Sequence, residues 1–427
     1  MAYADLSREE LTALKVELEE ELAGYKARDL HLNMARGKPA SDQLDLSADM
    51  LTVLKSMDDC FSEDGTDCRN YGGLEGIIEA RKLMAVLLDD EPENVIVGGN
   101  SSLTLMYNSV ARYMGFGARG SKPWGDYDYI KWICPVPGYD RHFAITESFG
   151  IDNIPVLMTD DGPDMDAVEA IAASDERVKG IWCVPKYSNP GGVTYSDEVV
   201  ERLGHLRCAA HDFRIFWDNA YSVHHLYDDP EKQDHLLDIA GPCHDSGNPN
   251  RYVKFASTSK VTLSGAGIAA LASSPDNIAE FKQRMAIATI GGDKMNQLRH
   301  ARFLKDADGI TAHMSKHAAI IRPKFELVEE KLSTKLAGVG ACSWSKPRGG
   351  YFVSFTAPSG TAQHIVRLAR QVGVVMTEAG ATWPNGVDPD DSNIRIAPTL
   401  PPLEELETAL DVFCCCVKLA YVEKLLR

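Results

Sequence analysis

Between about residues 70 and 275 the chain repeats one pattern: a short apolar run rich in β-branched and aromatic residues, then a longer amphipathic stretch. The runs are ENVIVGG (93–99), YIKWICPV (129–136), NIPVLM (153–158), VKGIWCVP (178–185), FRIFWD (213–218), RYVKFAS (251–257) and GIAALASS (267–274). Most are near-continuously apolar rather than alternating, as strands covered on both faces must be. Many intervals are long enough for right-handed crossover helices, so the pattern predicts an α/β fold with a mostly parallel seven-stranded sheet. In such a sheet ligands bind beyond the carboxyl ends of the strands, and functional residues are expected there.

The flanks read differently. Ser7 stands three residues before Glu10 as a capping box, and Leu11, Leu14, Leu18 and Leu22 form one stripe, so the chain opens on a helix. LHLNMARGKPASDQLDLS follows as a loop punctuated by Gly and Pro, in which Asn33, Arg36 and Lys38 alternate with turn residues. Beyond about 275, helical stretches lead to three smaller strand signals, GGYFVSF (349–355), VGVVMTE (372–378) and SNIRIAP (392–398). A last helix starts at Leu403 behind Pro401 and Pro402, with Glu404 and Glu405 at its positive end. The expected organisation is a large domain over 50–305 and a smaller α+β domain over 306–427, which the N-terminal segment 1–49 joins.

Charge narrows the partners. Lys and Arg number 44 against 62 Asp and Glu, a net charge of −18. Such a chain repels phosphate backbones and anionic lipid, so neither nucleic acid nor membrane is an expected partner, although a pocket can still be locally basic. No run reaches the ~18–20 apolar residues that span a bilayer. The opening MAYADLSREELTALKVELEEELAGYK carries acids where a secretory signal needs a basic start, which points to the cytoplasm. The ten cysteines lack the paired spacing of zinc ribbons and read as reduced thiols with no metal site. Cys414, Cys415 and Cys416 lie in a helical pattern and are expected to be buried.

Four segments carry candidate chemistry. In ASTSKVTLSGAG, Lys260 follows an apolar strand among hydroxyls and glycines; it is either a solvated lysine or a Schiff-base lysine with a lowered pKa, and Ser257, Thr258 and Ser259 would offer hydroxyls to a phosphate. In IFWDNAY, Asp218 ends a strand, where it is either a helix cap or a buried carboxylate that needs a cationic partner, and Tyr221 follows three residues later. In PKYSNPGGVTYS, Asn189 precedes Pro190 and two glycines, which is also ordinary turn chemistry. In VGGNSSLTLMYNSV, Asn100, Ser101 and Ser102 open a helix after a strand, a turn whose backbone N–H groups suit an anion but which can also stand without a ligand.

Singly these segments are ambiguous; their order is specific. Phosphate loop, aromatic (PGYDRHF), Asn-Pro-Gly, Asp-x-x-Tyr and Ser-x-Ser-Lys follow one another along alternating strands. In that order the chain resembles, over almost its whole length, the fold-type I aminotransferases that use pyridoxal 5′-phosphate. Within them NMARGKP, RNYGGLEGIIEAR and GGDKMNQLRHARF are similar to the subgroup Ic aspartate aminotransferases.

The resemblance implies roles. Lys260 would be the cofactor-binding lysine and the base that moves the substrate proton. Asp218 would hold the pyridine nitrogen protonated, Asn189 and Tyr221 would bond the ring oxygen, and Tyr139 would stack on the ring face. Asn100, Ser101, Ser102 and Ser257 would take the phosphate, and Tyr71 would reach the phosphate of a neighbouring subunit, which implies a homodimer with shared active sites. Arg395 would grip the substrate α-carboxylate as a bidentate fork. Asn189 and Gly37 would also border the substrate, and Arg36 and Lys38 are candidates for a second carboxylate. The implied reaction moves the amino group of L-aspartate to 2-oxoglutarate. The alternatives are an aromatic or branched-chain aminotransferase, a β-lyase, or an aminotransferase-like regulator, the last disfavoured because only about 30 acid-rich residues precede NMARGKP. One departure stands out: many family members carry a phosphate-clamping arginine several residues after the lysine, and VTLSGAGIAAL has no Lys or Arg. Either another cation neutralises the phosphate, with Lys294 from the neighbouring subunit a candidate, or hydroxyls and backbone amides hold it alone.

Overall fold

The computed structural model describes residues 2–427. All seven runs form strands of one sheet, in the order Val95–Val97, Ala269–Ala272, Tyr252–Ser257, Arg214–Asp218, Val178–Cys183, Lys131–Val136 and Asp152–Thr159. An eighth, Gly162–Pro163, is a two-residue hairpin partner of the last, which corrects the expected count of seven. It escapes notice because two residues carry no periodicity. The five strands from Tyr252–Ser257 to Asp152–Thr159 pair in parallel, and Ala269–Ala272 runs against both its neighbours.

The near-continuous apolar runs have the predicted cause. Every residue of Arg214–Asp218 is buried, and successive side chains alternate between layers. Ile215 and Trp217 join one cluster with Ile133, Ile181 and Val200, whereas Phe216 joins Trp132, Trp182 and Tyr113 on the other face.

The C-terminal third and the N-terminus share a separate core. The helix Arg8–Lys26 has the expected capping box, Ser7 with Glu10, and buries Leu11 and Leu18 in a cluster with Phe413, Val417 and Leu410 of the helix Leu403–Leu426. Leu32 and Asn33 pair in parallel with Val374 and Val375. Ser343–Trp344, Val353–Thr356 and Asn393–Ile396 make a small antiparallel sheet. The GGYFVSF strand therefore starts later than its sequence suggests, because Gly349 and Gly350 turn closely around Tyr187. Cys414, Cys415 and Cys416 are buried, and all ten cysteines are free thiols. No helix among the described residues is long and apolar enough to cross a membrane.

Candidate active site

The carboxyl ends of five strands converge, as the sheet topology requires. Arg214–Asp218 ends on Asp218, Tyr252–Ser257 leads to Lys260, Val178–Cys183 to Asn189, Lys131–Val136 to Tyr139, and Val95–Val97 to Asn100 and Ser101.

Asp218 is 3% exposed. Its Oδ2 accepts a hydrogen bond from His142 Nε2 at 3.0 Å. A carboxylate only accepts, so the proton sits on Nε2. The His142 ring lies flat against Trp182, 4.6 Å between centroids, and edge-on to Tyr139 at 5.0 Å. Asp218 Oδ1 is buried with no partner. An unmade bond at a buried carboxylate is costly, and a ring N–H donor is the complement it lacks.

Lys260 Nζ lies 5.0 Å over the Tyr221 ring. Burial pushes its ammonium below the ordinary lysine value, with the charge of Asp218 opposing. Its carbonyl accepts from His224 Nε2 at 3.3 Å, and burial lowers His224 well below the usual histidine range, so that ring is neutral. Tyr221 is buried among Tyr351, Phe352 and His224, and burial raises its phenol pKa. Tyr139 stands at the position just before the helix Asp140–Ser148, its phenol pushed up to about 12 by burial and by the nearby carboxylates of Asp218 and Asp140.

Arg395, 8% exposed, donates from Nη1 to Asp140 Oδ1 at 2.9 Å and to Asn189 Oδ1 at 3.2 Å. Its guanidinium lies 4.9 Å over the Phe352 ring, and its Nε is buried without a partner. The helix Ser102–Phe116 starts after Ser101 with no side-chain cap, which leaves its first N–H groups open. Ser257 Oγ lies 2.8 Å from Ser259 Oγ. These residues could hold a flat aromatic ring against Asp218 and an anion at the helix start.

Four expected residues stand apart. Tyr71 is 83% exposed, on the surface of its own chain. Arg36 and Lys38 are exposed on either side of Gly37, whose backbone packs directly on Phe352. Lys294 is not the free cation expected of it: it is 3% exposed, and its Nζ donates to the carbonyls of Asn70 and Gly72, both at 2.6 Å. It fastens the loop that carries Tyr71. The sequence reading also missed His142, Asp140 and Phe352. PGYDRHF carried a usable signal for His142, one helical turn after Tyr139, but Asp140 and Phe352 acquire their roles only through contact with Arg395.

A doubly covered α/β sheet whose carboxyl edge gathers a desolvated lysine, a buried carboxylate and an arginine fork defines the aminotransferase class of fold type I. The profile of the aspartate amino-transferase family matches residues 6–427, and the chain belongs to that family. An aspartate aminotransferase of Corynebacterium glutamicum is 45% identical over 425 residues, covering 99% of this chain and 97% of that protein. The crystal structure of an aspartate transaminase from the same species superposes with a TM-score of 0.96 at 44% identity, over 100% of this chain and 99% of that one. The α-aminoadipate aminotransferase LysN of Thermus thermophilus shares the fold, with a TM-score of 0.72 at 20% identity over 95% of this chain and 98% of that one. The protein is an aminotransferase, and pyridoxal phosphate is the cofactor its family implies.

Proposed function

We propose that this aminotransferase uses pyridoxal 5′-phosphate to carry the amino group of L-aspartate to 2-oxoglutarate, releasing oxaloacetate and L-glutamate. The observation that carries the cofactor assignment is the buried, unpartnered Asp218 Oδ1, whose carboxylate is close enough to act on the charge of a desolvated lysine, Lys260. Aspartate as donor rests on the Corynebacterium relatives.

Bound there, pyridoxal phosphate supplies a carbonyl that takes up the amino group and a ring that accepts an electron pair. Asp218 Oδ1 would accept the ring N–H and keep that nitrogen protonated, while His142 holds Oδ2. Asn189 has its Oδ1 on Arg395, which leaves Nδ2, together with the Tyr221 hydroxyl, as the donors that would hold the ring oxygen. Tyr139 would cover the ring face. Burial favours the neutral amine of Lys260, and Nζ would take the proton from the substrate α-carbon and hand it to the bound cofactor within the same half-reaction, the reverse transfer serving the second half-reaction. Arg395 takes the α-carboxylate, with Asp140 and the Phe352 ring fixing its plane. Arg36 and Lys38, beside Gly37, answer the side-chain carboxylate.

Asn100, Ser101, Ser102 and Ser257 would hold the phosphate. Tyr71, with Ile287 (84% exposed) and Ile290 (67% exposed), presents an apolar surface that a second subunit would cover, so the reading includes a homodimer in which Tyr71 completes the partner's site. The division at 1–49, 50–305 and 306–427 and a cytoplasmic location belong to the same reading. The test is the absorption spectrum of the purified protein before and after L-aspartate, with no oxo acid present. Conversion of the visible cofactor band to that of the aminated cofactor is expected. A visible band that aspartate leaves untouched refutes the donor; no band after added pyridoxal phosphate refutes the cofactor.

A further inference from the structure

We infer that Arg299 supplies the positive charge for the cofactor phosphate that the segment after Lys260 lacks; the inference rests on the pyridoxal phosphate reading above. A phosphate monoester carries close to two negative charges near neutral pH, and hydroxyls and backbone N–H groups bond its oxygens without neutralising them. Between Val261 and Leu271 there is no Lys or Arg, and Ile268 is 2% exposed in an apolar core. Lys294 is committed to two carbonyls of its own chain.

A cavity of about 380 Å³ brings together the walls that matter. Gly99 and Asn100 form one, at the uncapped start of the helix Ser102–Phe116. The backbone of Gly265 to Ile268, the continuation of the lysine segment, forms another. Arg299, from the helix Lys294–Leu304, is the one cationic side chain lining it among the described residues.

Arg299 is tethered to that segment. Its Nη2 donates to Asn296 Oδ1 at 2.9 Å, and Asn296 Nδ2 donates to the carbonyls of Ala266 and Gly267 at 2.9 and 3.1 Å. One residue further on, His300 Nε2 lies 3.1 and 3.0 Å from the hydroxyls of Thr258 and Thr262, so the helix is in register with the chain on both sides of Lys260. Arg299 Nε is buried and unpartnered. Asp293 lines the same cavity, but its Oδ1 caps the helix through the Asn296 N–H at 2.9 Å. A held guanidinium with an unmade donor, sharing a cavity with an open helix start, is arranged for an anion.

The test compares equilibrium binding of pyridoxal 5′-phosphate and of pyridoxal, which lacks the phosphate, to the full-length apoenzyme. Arg299→Gln should weaken pyridoxal phosphate about tenfold to a hundredfold and leave pyridoxal within about twofold, with Arg299→Lys recovering part of the loss. Equal weakening of both ligands would overturn the inference, since Arg299 would then act only through Asn296 on the loop. So would unchanged affinity for both. Wild-type protein that binds neither ligand would overturn the cofactor reading and this inference with it.

Discussion

Gly37→Ala tests the substrate side of the site through one contact. A Cβ at Gly37 would lie 2.3 Å from Phe352 Cζ and 2.5 Å from Cε1. Carbon atoms prefer about 3.5–4.0 Å, so ring or loop must retreat by more than about 1 Å. The ring has little room: Phe352 is 6% exposed, lies 4.9 Å beneath the Arg395 guanidinium and meets Tyr221 edge-on at 6.5 Å. The displacement therefore passes to Arg395. Overpacking of this kind costs about 1–3 kcal/mol of stability. A misplacement of about 1 Å at a substrate-orienting group costs about a hundredfold in rate, or about 2.7 kcal/mol of transition-state stabilisation. The assay is kcat/KM for the amino donor in Gly37→Ala, Phe352→Leu and the double variant, with thermal unfolding alongside. Because leucine removes the clashing ring atoms, the double variant should be less impaired than the two single defects combined. Gly37→Ala within about threefold of wild type, or defects that simply add, would refute the argument.

Lys260→Ala should abolish turnover while circular dichroism and the unfolding midpoint stay near wild type; full activity in that variant would sink the mechanism. His142→Leu strips the remaining partner from buried Asp218 and should lower kcat about tenfold or more, read by steady-state kinetics, because a buried charge loses a bond worth about 1.5–3 kcal/mol. Lys294→Met leaves the Asn70 and Gly72 carbonyls without their donor and should cost about 1–3 kcal/mol in urea unfolding. His300 and His317 are held neutral by burial, each lowered to about 4. Unfolded histidines titrate near 6.5, so between about pH 4 and 6.5 the unfolded chain binds more protons. The stability these groups contribute is complete above about pH 6.5 and falls on acidification. The urea midpoint should therefore drop from pH 7 to pH 5, and a flat or rising midpoint would contradict it.

Much of this was legible because its causes are local. Near-continuous apolar runs mark strands covered on both faces, and the seven runs became seven strands of one sheet. Ser7 and Glu10 made the box their spacing requires. What failed was short or shared: a two-residue strand at Gly162–Pro163, and GGYFVSF, where two glycines turn before the strand begins. Lys294 looked like a free cation because sequence cannot reveal that two carbonyls of its own chain already hold it.

The strands, the helices between them and the carboxyl edge where chemistry gathers follow from local patterns, since periodicity and caps act over a few residues. The sequence also placed a lysine, an acid and an arginine in the order the family uses. What each of them touches is set by the folded chain. His142 reaches Asp218 across 76 residues of chain, and Arg395 reaches Asp140 across 255. Phe352 and Gly37 meet from distant parts of the chain, and Arg299 shares a cavity with Asn100 and the lysine segment. Hydrogen bonds and ring contacts act over 3–5 Å of space, and no local pattern encodes which distant residues the fold will bring within that range.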